Sequence, residues 1–342
     1  MTATPTTMAA AVYRRQGELE LADVPVPVLG PGDALVEVAY CGLCGTDLHM
    51  VLDGWGEPGS VLGHEWSGRV AAAGADARID VGTPVIGRGW VECGRCRHCR
   101  AGQPGLCTQR PLAGVDDHHS GAFARYLAVN HRNLTAVPDG VGLREAAYAE
   151  PLAVAMHAVT RGAFEPGGQA LVFGCGPIGA AVVAVLIARD ADVTVVEPQP
   201  RRQGLARRLG AAVRPADDLE APGHPGQVAA DAVGWVFETS GARQAAQAGL
   251  TQLAGGGTMV IVGIGMDYPR LDTSRMILNE LVVTGAYEYD PGGLAAALEL
   301  IASGVLPMDV LLEPDPVGLD GILETMGRLR SGEVAGKVLV QP

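Results

Sequence analysis

The stretch QALVFGCGPIGAAVVAVLIARDADVTVVE, residues 169–197, limits the fold of this chain more than any other part of it. An apolar run, LVF, leads into Gly174-x-Gly176-x-x-Gly179, an apolar segment of helical length follows, and a second run, VTVV, ends on Glu197. A lone GxGxxG is a weak signal. Here it follows a strand, opens a helix and has its acid eighteen positions after Gly179. The pattern predicts a βαβ unit of a doubly wound parallel sheet, an α/β fold. Gly174, Gly176, Ile178 and Gly179 would let a dinucleotide pyrophosphate approach the helix N-terminus. Glu197 is placed to hydrogen-bond the adenosine ribose and to repel a 2′-phosphate, which points to NAD. Arg201 and Arg202 bring cations to the same place and leave NADP open. Cys175 reads as a small loop side chain without a catalytic role.

With 342 residues the chain fits two domains of ordinary size. Ahead of the βαβ unit, the alternation in AAAVY, LELADV and ALVEVAY, broken by PVPVLGPGD, predicts short antiparallel strands of a β-rich domain. Within it, CGLCGTDLHMVLDGWGEPGSVLGHE (residues 41–65) gathers thiols, imidazoles and carboxylates. Cys44, His64 and Glu65 make up a zinc ligand set that leaves one position open for water or substrate. Thr46 and His49 follow Cys44 by two and five residues, near enough to carry a proton from an alcohol toward solvent. Taken alone, the same residues also fit a Gly-rich turn with a buried thiol and a surface imidazole. Cys41 reads as a bystander.

The segment VECGRCRHCRAGQPGLC places Cys93, Cys96, Cys99 and Cys107 at C-x2-C-x2-C-x7-C spacing. Four thiolates close a tetrahedral shell and leave no site for substrate, so this zinc is read as structural. His98 is expected to be solvated, and His118 and His119 to belong to a polar loop. Seven cysteines bunched in this way do not form a disulfide framework.

A net charge of −13 argues against a general basic surface for nucleic acid. No window approaches the ~20 apolar residues of a membrane span. The N-terminus lacks the basic region and apolar core of a secretory signal, so a cytoplasmic location is expected. Lys337 is the only lysine, which reads as composition rather than mechanism.

The run C-G-x-C-G-T-D-x-H followed by G-H-E resembles the zinc-dependent alcohol and polyol dehydrogenases of the medium-chain dehydrogenase/reductase family, and the likeness runs nearly end to end. It implies a GroES-like catalytic domain over 1–152, with a structural-zinc lobe at 90–110. A Rossmann domain over 153–290 and a return to the catalytic domain over 291–342 would follow, with the active site in the cleft between domains. It implies two zinc ions per chain, NAD, a small-molecule alcohol substrate and a homo-oligomer, dimer or tetramer. Glu150, in AEPLAV, reads from the sequence alone as a charge at a helix start. The resemblance makes it a zinc ligand or the holder of a zinc-bound water. It also implies that Val262, Gly263, Ile264, Ala286 and Tyr287 line the nicotinamide half and exclude water. Met50 and Glu288 stand where sorbitol-type enzymes carry an aromatic residue and a cation, so another polyol, a vicinal diol, a cyclitol or a hydroxy amino acid is expected in place of sorbitol. Two alternatives keep the fold: a zinc-free reductase of activated alkenes or quinones, and a non-catalytic NAD-binding protein holding only its structural zinc.

Overall fold

A computed structural model of the chain describes residues 5–88, 92–109 and 121–342; His118 and His119 lie outside them. The chain opens with an antiparallel pair, β1 (Thr7–Arg15) and β2 (Glu18–Pro25). Next come β3 (Asp33–Gly42), β4 (Glu65–Ala73), β5 (Pro84–Gly87), β6 (Tyr126–Asn130) and β7 (Leu134–Ala136), joined by antiparallel pairing. Their buried side chains, among them Val36, Val38, Trp66, Val70 and Leu127, form one core.

The second sheet is wholly parallel: β8 (Gln169–Phe173), β9 (Asp192–Val196), β10 (Ala212–Arg214), β11 (Val233–Glu238), β12 (Leu253–Ile261) and β13 (Val282–Gly285). Its order is β10-β9-β8-β11-β12-β13, or 3-2-1-4-5-6 counted from β8. The order reverses between β8 and β11, and in sheets of this kind the crevice at such a point holds the ligand. β8 is buried on both faces, which explains why LVF is continuous rather than alternating. The helix Pro177–Ile187 is nearly all apolar for the same reason, since it lies between the sheet and the helix Ala149–Arg161. Pro177 at its first turn forfeits no helical hydrogen bond.

The helix Ala149–Arg161 also packs against Gly293–Ala302, whose Leu294, Ala297, Leu298 and Ile301 join the core of the parallel sheet. After the last helix, Ile322–Ser331, the chain crosses back: β14 (Leu339–Val340) pairs with Gly42 and Cys41 at the end of β3. This return carries Lys337 to the metal-ligand segment. Among the described residues no helix is long and apolar enough to cross a membrane.

Candidate active site

β3 ends at Gly42, and the helix Gly45–Leu52 starts two residues later with Cys44 as its N-cap. The Cys44 N–H donates to Asp47 Oδ2 at 2.9 Å, fixing the first turn. From the start of β4, His64 and Glu65 come to meet it. One donor atom each from Cys44, His64 and Glu65 lies within 4.8 Å of the others. Cys41, on β3, is fully buried beside them, and burial pushes its thiol up, away from the thiolate form.

Lys337, which looked compositional in the sequence, is buried in this site. Its Nζ donates to both Glu65 oxygens, each at 2.7 Å, and to the Leu43 carbonyl at 3.0 Å. Glu65 therefore stands among the ligands with both oxygens engaged by the chain's one lysine. Asp47, also buried, has Oδ1 3.6 Å from His64 Nδ1, an atom left without a hydrogen-bond partner. Burial lowers the His64 pKa, but Asp47, Cys44 and Glu150 outweigh it and carry it well above the usual value.

Glu150 lies outside the 4.8 Å group, at the start of the helix Ala149–Arg161, yet within electrostatic reach of it. Burial pushes its pKa to about 8; His64 opposes the rise, and Glu65 and Glu288 add to it. Asp47 and Glu150, both pushed toward their neutral forms by burial, gather with Glu65 around one lysine, a cluster whose ionised form a divalent cation would stabilise. The donor set of thiol, imidazole and carboxylate suits zinc.

Thr46 and His49 lie on the helix Gly45–Leu52 at i and i+3, so they share a face. Both are half-buried. The His49 Nδ1 is 2.6 Å from Asp53 Oδ2, and its ring stacks on Trp55 with centroids 4.9 Å apart.

In the lobe, the donor atoms of Cys93, Cys96, Cys99 and Cys107 all lie within 4.8 Å of one another, and no cysteine is in a disulfide. The Sγ atoms of Cys93 and Cys96 are 3.9 and 3.5 Å from that of Cys99. A tetrahedron with Zn–S bonds of ~2.3 Å has edges of about 3.8 Å, so the four fit a zinc shell. Backbone N–H groups of Cys99 and Thr108 lower the Cys96 thiol to about 6, whereas burial raises Cys99 to about 12. Four thiols so close cannot all ionise without a cation. Replacing Cys99 by Ser is expected to lower the melting temperature by about 5 °C or more while kcat of the folded enzyme changes by less than about twofold. A loss of rate in a protein that melts as the parent does would reverse the two metal assignments.

The glycine loop follows β8. Gly174 has φ +89°, and a Cβ there would sit 2.9 Å from that of Ser240; one on Gly179 would sit 2.6 Å from Thr239 Oγ1. At Gly176, in contrast, the nearest atom is Arg202 Cζ at 3.7 Å, leaving a bare cradle with a cation beside it. That suits a pyrophosphate. Buried Glu197 accepts from the N–H groups of Cys175 and Gln199, both at 2.8 Å, which fixes its charge beside the loop. Arg202 donates to the Leu329 carbonyl at 2.6 Å, and Arg201 turns away to Glu333 O at 2.8 Å. Val262 and Gly263 donate backbone N–H groups to Glu238 O, and Ala286 to Ile261 O, which places all three at the strand ends. Ile264 and Tyr287 are about half exposed. Glu288 follows directly, and its charge is felt at Glu150, so this wall adjoins the metal-ligand cluster.

This is the architecture of a two-domain metallodehydrogenase, and comparison with known proteins agrees. Residues 30–139 match the alcohol dehydrogenase GroES-like domain, and residues 177–303 match the zinc-binding dehydrogenase family. The chain is 38% identical to 2-dehydro-3-deoxy-L-galactonate 5-dehydrogenase of Pseudoalteromonas atlantica, over 81% of this chain and 82% of that one. It is 31% identical to sorbitol dehydrogenase of Bacillus subtilis, over 99% and 98%. The crystal structure of 2R,3R-butanediol dehydrogenase from Bacillus subtilis superposes with a TM-score of 0.88 at 28% identity, covering 98% of this chain and 99% of that one. A zinc-binding dehydrogenase from Sinorhizobium meliloti bound to NADP gives 0.88 at 28%, covering 99% and 100%. The chain belongs to the zinc-dependent medium-chain dehydrogenase/reductase family and is an oxidoreductase acting on CH–OH donors.

Proposed function

We propose that the enzyme moves a hydride between a secondary alcohol of a polyol-like substrate and NAD. The grouping of Cys44, His64 and Glu65 next to the strand ends that bear Ala286 and Glu288 carries this reading. When bound, zinc polarises the alcohol oxygen and lowers its pKa, and the nicotinamide accepts the hydride. Cys44 and His64 hold the metal. Glu65, its carboxylate oriented by Lys337, completes the ligand set, and Glu150 is a second carboxylate placed to bind the metal or orient a water on it. Thr46 takes the alcohol proton and passes it by way of His49 to solvent. Val262 and Ala286, packed on the parallel-sheet core, keep water from the transferring hydride.

Glu197 fixed beside the loop supports NAD over NADP. Arg202 is tied down on the Gly176 side, toward the pyrophosphate, and Arg201 faces away. A cytoplasmic location is supported by seven thiols with no disulfide among them. The homo-oligomer is supported by the exposed apolar side chains of Ile277 and Leu278 on the helix Thr273–Leu278 and of Val282 on β13, the last strand of the parallel sheet.

The test is oxidation of a panel of diols, polyols, cyclitols and hydroxy amino acids at alkaline pH, followed by NADH absorbance. At least one is expected to be oxidised, with kcat/KM for NAD exceeding that for NADP about fivefold or more, the factor given by ~1 kcal/mol of like-charge repulsion. Glu197→Ala should narrow the ratio. Equal efficiency with both cofactors would mean that an arginine neutralises the 2′-phosphate, and no oxidation of any alcohol by zinc-loaded enzyme would contradict the activity.

A further inference from the structure

We propose that Asp53 and Arg330 are positioning residues of the proton relay, which together hold the His49 ring in one tautomer and one orientation. The inference rests on the reading of His49 as a relay residue. Asp53 closes the helix that carries His49, and its Oδ2 is 2.6 Å from His49 Nδ1. With Nδ1–H donated to this carboxylate, the Nε2 lone pair is left to accept a proton. Trp55 stacks on the ring and restricts its rotation.

Asp53 is itself held from across the molecule. Arg330, on the last helix, donates from Nη1 to Oδ1 at 2.9 Å and from Nη2 to Oδ2 at 2.8 Å, a two-pronged grip that fixes the plane of the carboxylate. The guanidinium also keeps Asp53 ionised, lowering its pKa. The end of that helix is anchored on its other side, where the carbonyl of the preceding residue, Leu329, receives Arg202 from beside the glycine loop. Two consecutive residues, Leu329 and Arg330, thus connect the cofactor cradle to the relay.

Other charges near this helix are accounted for. Glu18 and Glu20 of the adjacent β2 pair with Arg15 and Arg14 at 2.5 Å, Gln16 gives its amide to Leu52 O, and Asp47 faces His64. Asp53 and Arg330 are the charges in contact with the imidazole or its partner. Both are partly exposed, and a pair of that kind adds little stability, so its loss should be read in the relay rather than in melting.

The experiment compares the zinc-loaded enzyme with Asp53→Asn, Arg330→Met, Arg330→Lys and His49→Gln, measuring kcat and KM for alcohol oxidation across pH, with zinc content and melting temperature alongside. Asp53→Asn is expected to lower kcat about tenfold or more with KM little changed. Loss of its charge makes the imidazolium less stable, so the acid limb of kcat/KM moves to lower pH by about one unit. Arg330→Met leaves the Asp53 charge uncompensated and should move the same limb to higher pH, with Arg330→Lys between it and the parent. Opposite shifts cannot come from a general loosening of the fold. If His49→Gln is impaired but the limb stays in place, or moves the same way, in both Asp53→Asn and Arg330→Met, this proposal fails and the relay stands. If His49→Gln is as active as the parent, both fail.

Discussion

Replacing Cys44 by Ser, or His64 by Ala, is expected to lower kcat by about a thousandfold or more, the loss that follows when several kcal/mol of Lewis-acid stabilisation disappears. The fold should persist. Cys44 sits at a helix start that is also secured by the Asp47 bond to its own N–H, and that bond does not involve the sulfur. Around it, the core of the antiparallel sheet is built from Val36, Val38, Trp66 and their neighbours, which neither substitution touches. Melting within a few degrees of the parent, with turnover gone, is the expected pair of results. Near-parent activity in either variant would remove these residues from the catalytic metal site.

The second large effect is expected at Glu150. Its carboxyl is half-buried at a helix start, and burial with nearby Glu65 and Glu288 favours the neutral form unless a cation is close. Glu150→Gln keeps size and hydrogen bonding but removes the charge that would face the metal or hold its water. Groups that orient a metal site in this way cost about 10- to 100-fold when altered, so kcat should fall more than tenfold. The loss should be in kcat rather than in folding, because the rest of the helix is set by Leu152, Ala155, Ala158 and Val159 in the core. An Asn or Gln variant within about twofold of the parent would return Glu150 to a plain charge at a helix start.

What the sequence made legible was what lies close together in it. The four lobe thiols fall within fifteen residues and the ligand set within twenty-two, so their spacing already reports a shared site. The βαβ unit is local as well, and Glu197 meets the loop because parallel pairing aligns the ends of β8 and β9. Lys337 carries no such signal, because nothing near it announces a partner 272 residues away; only the pairing of β14 with β3 brings it to Glu65. The grip of Arg330 on Asp53, across 277 residues, was illegible for the same reason. Glu150 lay between these cases. Its position at a helix start could be read from the pattern, but the electrostatic neighbourhood that distinguishes it from an ordinary helix-start charge depends on three other segments, those of His64 and Glu65, Glu288 and Lys337.

Zinc content per chain, measured on purified parent and Cys44→Ser enzyme, decides whether each chain carries one zinc in an open catalytic site and a second in the closed four-thiolate lobe. About two are expected in the parent and about one in the variant, which should retain the parent's melting behaviour while losing turnover. A parent that turns over fully with one zinc or none, or a Cys44→Ser variant that keeps two, would contradict this assignment.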